Sequence, residues 1–171
     1  PAAVWAWNTA IALVCGDTVI WKPSELTPLT SLACSGILDR ALAESGLPAD
    51  VHQLVITDRD SAAPLLDDPR VALVSATGSE RMGAEIGPRV AARFGSSLLE
   101  LGGNNAMIVL DDADLDRAAN GIAWGGLFNA GQVCIAPTRF LVQQPVYEKF
   151  VEKFIAASKA LKIGDGMDPS T

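Results

Sequence analysis

Six short apolar runs, TVIW, HQLVI, VALVS, SLLEL, AMIVL and RFLVQ, punctuate the sequence between longer stretches of helical patterning. Continuous apolar runs mark strands buried on both faces. Their regular alternation with helices marks parallel pairing, because a parallel strand can be reached only through a crossover. The runs therefore predict an α/β chain with a mainly parallel sheet covered on both faces. Helices are expected over Val4–Cys15, capped by Gly16, and over Pro28–Ser45, opened by Thr27 and closed by Gly46. Further helices are expected over Asp60–Asp67, after Thr77-Gly78-Ser79, over Asp114–Phe128 and over Val146–Leu161. Gly87-Pro88 falls inside the helix after Ser79 and predicts a break or kink there.

Composition narrows the function classes. The net charge is −7 with no basic cluster, which argues against nucleic acid or an anionic membrane as partner. The longest apolar run, Thr9 to Cys15, is too short to span a bilayer and lacks the basic flank of a signal peptide. Cys15, Cys34 and Cys134 form no CxxC pair, so neither a disulfide framework nor a zinc site is expected and a reducing cytoplasm fits. The single histidine, His52, sits in a strand-like run with no second ligand, and no metal site is expected. The chain is 49% hydrophobic and begins at Pro1, which together point to an internal piece of a longer polypeptide.

Ligands of open parallel sheets bind at the carboxyl ends of strands. Three strand ends carry unusual residues. In WKPSE, Lys22, Ser24 and Glu25 follow TVIW directly: a solvated charge pair, or a clamp for the hydroxyls of a ribose. In SATGSERMG, Gly78 and Ser79 open a helix whose N–H groups and dipole suit a phosphate, and Gly83 lets that helix approach its neighbours. No GxGxxG or GxxxxGK[ST] fingerprint is present, and TGS alone is little more than an N-cap. In LLELGGNN, Glu100 ends an apolar strand, where a carboxylate is either salt-bridged or desolvated toward a general base. A fourth feature is the thiol of FNAGQVCIA, Cys134. A free cysteine is usually inert packing, so this one gains meaning only from its surroundings.

Taken together and in this order, WKPSELTPLT, TGSERMG, LLELGGNNAMIV and NAGQVC resemble the aldehyde dehydrogenase superfamily, along the whole chain. Glu100 and Cys134 stand 34 positions apart, as that family's base and nucleophile do. The resemblance implies the C-terminal part of a Rossmann-like NAD-binding domain over residues 1–101 and the start of a catalytic domain over 102–171. It implies Cys134 as nucleophile and Glu100 as the base that activates water. It also implies Lys22, Ser24 and Glu25 at the adenosine ribose, Gly78, Ser79 and Gly83 at the pyrophosphate helix, and Leu101 beside the nicotinamide. A carboxylate at Glu25 favours NAD, while Lys22 offsets part of that charge and leaves NADP as a second cofactor. The implied partners are a small aldehyde substrate and, in the full-length protein, further copies of itself in a dimer or tetramer.

The chain departs from the family pattern in places. Counted back from Lys22, Pro1 matches the proline of an N-F-P motif whose asparagine supplies the oxyanion hole, and Asn8 does not replace that asparagine. Ala76 stands where most members have phenylalanine. VWAWNTAIALVCGD and LELGGNNA look like the aminoadipic-semialdehyde branch, whereas FNAGQVCIAPTRFLVQ looks like succinate-semialdehyde and general aldehyde dehydrogenases. Three readings follow: part of an NAD(P)-dependent aldehyde dehydrogenase, an inactive fragment of one with at most weak nucleotide binding, or a nucleotide-independent cysteine acyltransferase or hydrolase. The last has no use for WKPSE or the TGS turn.

Overall fold

The computed structural model describes residues 2–171; Pro1, matched above to the N-F-P proline, lies outside the described residues. The chain divides into two compact units, one ending at Glu100 and one running from Leu101 to Thr171.

The first unit begins with α1 (Ala2–Val14), which leaves through Gly16 at φ 86°. β1 (Val19–Trp21), α2 (Pro28–Glu44) and β2 (His52–Leu54) follow, and the two strands pair in parallel with Val19 opposite His52. Thr27 precedes Pro28 at the first turn of α2, its carbonyl taking the Ser31 hydroxyl at 2.9 Å, and Gly46 at φ 69° lets the chain turn away at the far end. Two four-residue helices come next, α3 (Arg59–Ala62) and α4 (Pro64–Asp67). The single helix expected here divides because Pro64 has no N–H to return to the preceding turn.

β3 (Leu73–Thr77), α5 (Glu80–Ala92) and β4 (Ser96–Glu100) complete the unit, again with parallel strands, Thr77 opposite Glu100. The break expected at Gly87-Pro88 is not seen, and α5 runs on through both residues. Glycine before proline removes the side-chain clash that usually expels that position from helical geometry. Burial of Val90, which is 0% exposed, holds the last turn in place.

The second unit repeats the pattern with β5 (Asn105–Val109), α6 (Leu115–Leu127) and β6 (Pro137–Val142), then adds α7 (Tyr147–Lys159). Asp114 caps α6 by accepting from the N–H groups of Asp116 and Arg117, both at 3.1 Å. β5 and β6 are parallel. Their register slips after Asn105, so Pro137 faces Asn105, Arg139 faces Ala106, and Thr138 bulges between them. Val109, Ala119, Ile122 and Phe150 form a contiguous buried core, extended by Phe140 and Phe154.

All six apolar runs become strands, but they do not merge into one sheet covered on both faces. They form three separate two-stranded parallel ladders, each a strand–helix–strand unit. Ile20, Leu73, Leu98, Ile108 and Leu141 are exposed along them. The sequence reports strands apolar on both sides; the layers within this chain cover only part of that surface. Among the described residues no helix is long and apolar enough to cross a membrane, and no cluster of His, Cys, Asp or Glu could hold a metal ion.

Candidate functional site

The first unit carries an open cleft of about 640 Å³ between β1 and the loop after it, the α3–α4 segment, β3 and α5. Four of the residues singled out in the sequence line it: Lys22, Ser24, Glu25 and Ser79. Their placement follows from local chemistry. Pro23 ends β1, so Lys22 leaves the strand at its carboxyl end. Ser24 then builds a tight turn, its hydroxyl accepting from the Leu26 N–H at 3.3 Å and its carbonyl from the Thr27 N–H at 3.2 Å. The turn brings Glu25 back to Lys22, whose ammonium donates to its carboxylate at 3.3 Å. Its own backbone N–H and the Lys22 ammonium hold the Glu25 carboxyl below the usual carboxylate range. At neutral pH the pair is an acceptor-only group beside a donor-only group, the complement of a vicinal diol.

At the other side of the cleft Ser79 caps α5, its hydroxyl accepting from the Met82 N–H at 3.2 Å. The expectation that Gly78 offers a free N–H is corrected here. That N–H donates to the Glu100 carbonyl at 2.9 Å, an extension of the β3–β4 ladder. The groups left for an anion are the N–H of Glu80 and Arg81, which no helical carbonyl reaches. Gly83 is buried one turn further along and does not line the cleft. Two ion pairs that join the α3–α4 segment to α5 wall the cleft: Arg59 with Glu85, and Arg89 with Asp67 at 2.5 Å. The Arg89 guanidinium draws the Asp67 carboxyl below its ordinary range.

Glu100 is the last residue of β4. A desolvated or salt-bridged carboxylate was expected; the side chain is exposed and takes part in no ion pair among the described residues. The strand carries it at the uncovered end of the ladder, where nothing in the unit removes it from water. Leu101, half-buried, opens the second unit.

Cys134 stands in that second unit, exposed, on the turn between α6 and β6. The turn is unusual in its backbone. Asn129, Ala130 and Gly131 all have positive φ, at 53°, 56° and 75°. Each of the two residues with a Cβ costs about 1–2 kcal/mol in this region. Local hydrogen bonds offset part of that: Asn129 Nδ2 donates to the Gln132 carbonyl at 3.1 Å, and the Gln132 N–H returns to the Asn129 carbonyl at 3.1 Å. Gly131 is required twice over, since a Cβ there would meet the Gly126 carbonyl at 3.2 Å and the φ is positive.

Sequence reading missed the residues that hold this turn from outside. Asn105 Nδ2 donates to the Cys134 carbonyl at 2.7 Å and to the Ala136 carbonyl at 3.3 Å. A Cβ on Gly103 would stand 2.9 Å from that same Cys134 carbonyl. Asn104 accepts the Thr138 hydroxyl at 2.6 Å through Oδ1 and the Arg139 guanidinium through its carbonyl. The signal was the GGNN tetrapeptide itself, read only as the flank of Glu100. Cys15 is exposed just past the end of α1, where the last turn lies open and Val14 is 90% exposed.

The first unit thus carries a charge pair across a cleft from a helix N-terminus and a carboxylate at a strand end, and the second carries a thiol on a strained turn. The aldehyde dehydrogenase family matches residues 1–171, and the chain belongs to that family. It is 39% identical to aldehyde dehydrogenase family 7 member A1 of Brassica napus, over 100% of this chain and 35% of that protein. It is 36% identical to alpha-aminoadipic semialdehyde dehydrogenase of Mus musculus, over 99% of this chain and 32% of that protein. Among solved structures, an NAD-dependent aldehyde dehydrogenase from Sinorhizobium meliloti superposes with a TM-score of 0.78 at 40% identity, covering 86% of this chain and 29% of its own. The chain thus spans about a third of the length of the curated relatives it matches.

Proposed function

We propose that this chain carries the thiol, the base and part of the cofactor cleft of an NAD(P)-dependent aldehyde dehydrogenase, acting on an aldehyde or semialdehyde. The observation that carries the reading is the placement of Lys22, Ser24, Glu25 and Ser79 around one cleft, in a chain whose strained turn presents a solvent-facing thiol. In this reading residues 1–101 serve the cofactor and residues 102–171 bear the nucleophile. The cleft residues fit a nicotinamide dinucleotide: the Lys22–Glu25 pair suits ribose hydroxyls, and the first turn of α5 suits a pyrophosphate. NAD is favoured because Glu25 is ionised and repels a 2′-phosphate, and Lys22 leaves NADP usable. Solved relatives include an NAD-dependent aldehyde dehydrogenase and an NADP-dependent enzyme, which supports keeping both cofactors.

The chemistry assigned to the chain's own residues is covalent catalysis. The Cys134 thiolate adds to the aldehyde carbon, forming a C–S bond and a thiohemiacetal alkoxide. Bound nicotinamide supplies the hydride acceptor. Loss of hydride from that carbon leaves a thioester on Cys134. Glu100 takes a proton from water as the water oxygen attacks the thioester carbonyl. The C–S bond then breaks, the acid leaves, and the thiolate is restored. Glu100 is exposed in this chain, and the task asks that it stand close to the thioester. The family 7 and aminoadipic-semialdehyde likeness supports a semialdehyde as substrate.

Rapid-mixing kinetics on the complete gene product test the assignment. Cys134→Ala should form no NADH at all. Glu100→Gln should give a burst of NADH followed by very slow turnover, because acylation survives and deacylation does not. Turnover by Cys134→Ala, or unchanged steady-state turnover by Glu100→Gln, overturns the roles.

A further inference from the structure

We infer that Asn105 is a positioning residue for the reactive thiol, holding the Cys134 turn in its productive geometry through the main chain. This rests on the reading of Cys134 as nucleophile. Asn105 is the first residue of β5, twenty-nine positions before Cys134, and its side chain faces two carbonyls of the thiol segment. Only an NH2 group can face two carbonyls favourably, which fixes the orientation of the amide. Its shorter bond, 2.7 Å, falls on the carbonyl of Cys134 itself.

Two features meet at that carbonyl, and a third lies beside them at the start of β6. The first is the amide of Asn105. The second is Gly103, where a Cβ would lie 2.9 Å from the Cys134 oxygen and 3.1 Å from Asn105 Nδ2, so the backbone of Gly103 closes the space behind the contact. The third is the register slip between β5 and β6 immediately after Asn105, which leaves Thr138 bulged and bonded to Asn104. Bulges of this kind re-aim the chain next to functional sites.

The turn needs such a brace. Asn129, Ala130 and Gly131 hold left-handed dihedrals, and such geometry persists only where surrounding contacts over-determine it. On the α6 side the turn is held by its own hydrogen bonds. On the β6 side the Asn105 amide holds it, at Cys134 itself and at Ala136 two residues beyond. Removing that amide frees the Cys134–Ala136 carbonyls to rotate. The Cα–Cβ vector of the cysteine then moves with its peptide, and the thiol loses the alignment that attack on a carbonyl carbon requires. Asn105 does not line the cofactor cleft, so its loss acts on the thiol and leaves the cofactor contacts alone.

The test compares Asn105→Ala, Asn105→Asp and Cys134→Ala with the wild type in the complete gene product, by rapid mixing with aldehyde and NAD and by hydrogen exchange. Asn105→Asp keeps the shape and replaces the donor by an acceptor, so it reads the same contact if Asn105→Ala unfolds. In both Asn105 variants the rate constant of the NADH burst should fall about tenfold to a hundredfold. The KM for NAD should stay unchanged, and exchange across residues 131–136 should accelerate. A role confined to the fold would instead lower the burst amplitude and leave its rate constant intact, and that result overturns the inference, as does failure of both variants to fold. Burst rate constants within about twofold of wild type, with Cys134→Ala silent, would overturn the positioning role and keep the thiol assignment. A burst from Cys134→Ala would overturn the thiol assignment itself.

Discussion

The two units solve opposite problems with the same strand–helix–strand pattern. The unit ending at Glu100 has an open cleft, exposed ion pairs and a buried set divided between apolar Leu42 and Val90 and polar Thr9, Ser31, Ser35 and His52. The unit from Leu101 onward has a contiguous apolar core around Val109, Ile122 and Phe150. The first lines a cleft with side chains and keeps its backbone ordinary there. The second keeps a strained backbone and presents one thiol. The difference teaches where each kind of site finds its stability. A clamp such as Lys22–Glu25 is cheap to hold, because exposed pairs of this kind contribute little either way. A turn with consecutive left-handed residues needs a packed platform beneath it.

The largest effect that tests this contrast lies in the two cores. Ile122→Ala should cost about 2–5 kcal/mol, since Ile122 is 1% exposed and its neighbours are fixed by α6, α7 and β5. Leu42→Ala in the first unit should fall at the low end of that range, because α2 carries exposed Leu32 and Ile37 nearby in sequence and can settle into the space. Chemical denaturation of both variants measures it. A larger loss for Leu42→Ala would break the contrast.

The next effect separates two adjacent glycines. A Cβ on Gly102 meets nothing within 4 Å, whereas one on Gly103 meets the Cys134 carbonyl at 2.9 Å. Gly103→Ala should therefore cost about 1–3 kcal/mol, as overpacking against backbone does. Gly102→Ala should leave the thermal midpoint in place. Equal midpoints for the two variants would mean that the close approach of Gly103 to the thiol turn is not a constraint.

The smallest effect belongs to His52, in the first unit. Trp5 Nε1 donates to His52 Nε2 at 2.9 Å, and the ring is 3% exposed. Burial pushes its pKa below the ordinary value, with Asp39 opposing weakly. The unfolded chain therefore takes the proton first. The stability contributed by neutral His52 is complete above about pH 6.5 and is lost as pH falls below it toward the lowered folded value. Thermal midpoints measured between about pH 7.5 and 5.5 should decline for the wild type and decline less for His52→Phe. Parallel slopes would remove His52 from the account.

How much of this was legible in the sequence depends on its range. The six strands and their parallel sense followed from apolar runs, and the helix ends at Gly16 and Gly46 followed from local residue chemistry. The placement of Lys22, Glu25 and Ser79 was legible because each lies at a strand end or helix start within a few residues of the group it bonds. The bracing of Cys134 by Asn105 was not, because it depends on the register of two strands separated by a helix, and a one-residue bulge at Thr138 changes which groups meet. Burial was misjudged at Glu100 for a related reason. Apolar neighbours in sequence say what a strand or helix could cover, not what covers it. The continuity of α5 through Gly87-Pro88 shows the converse, with the packing of Val90 overriding a local breaker.

The aromatic contacts give each unit its own optical signature. Trp5 and Trp21 lie face to face with ring centroids 4.5 Å apart and an interplanar angle of 19°, and Trp21 is bonded directly to Lys22. Trp124 stacks on Phe128 at 5.1 Å, at the end of α6 where the chain enters the left-handed turn toward Cys134. Two indoles in contact couple through their strong far-ultraviolet transitions, which a lone indole on a phenyl ring does not do. Far-ultraviolet dichroism of this protein therefore carries a contribution from the strand that ends at Lys22, while Trp124 is the single indole of the second unit.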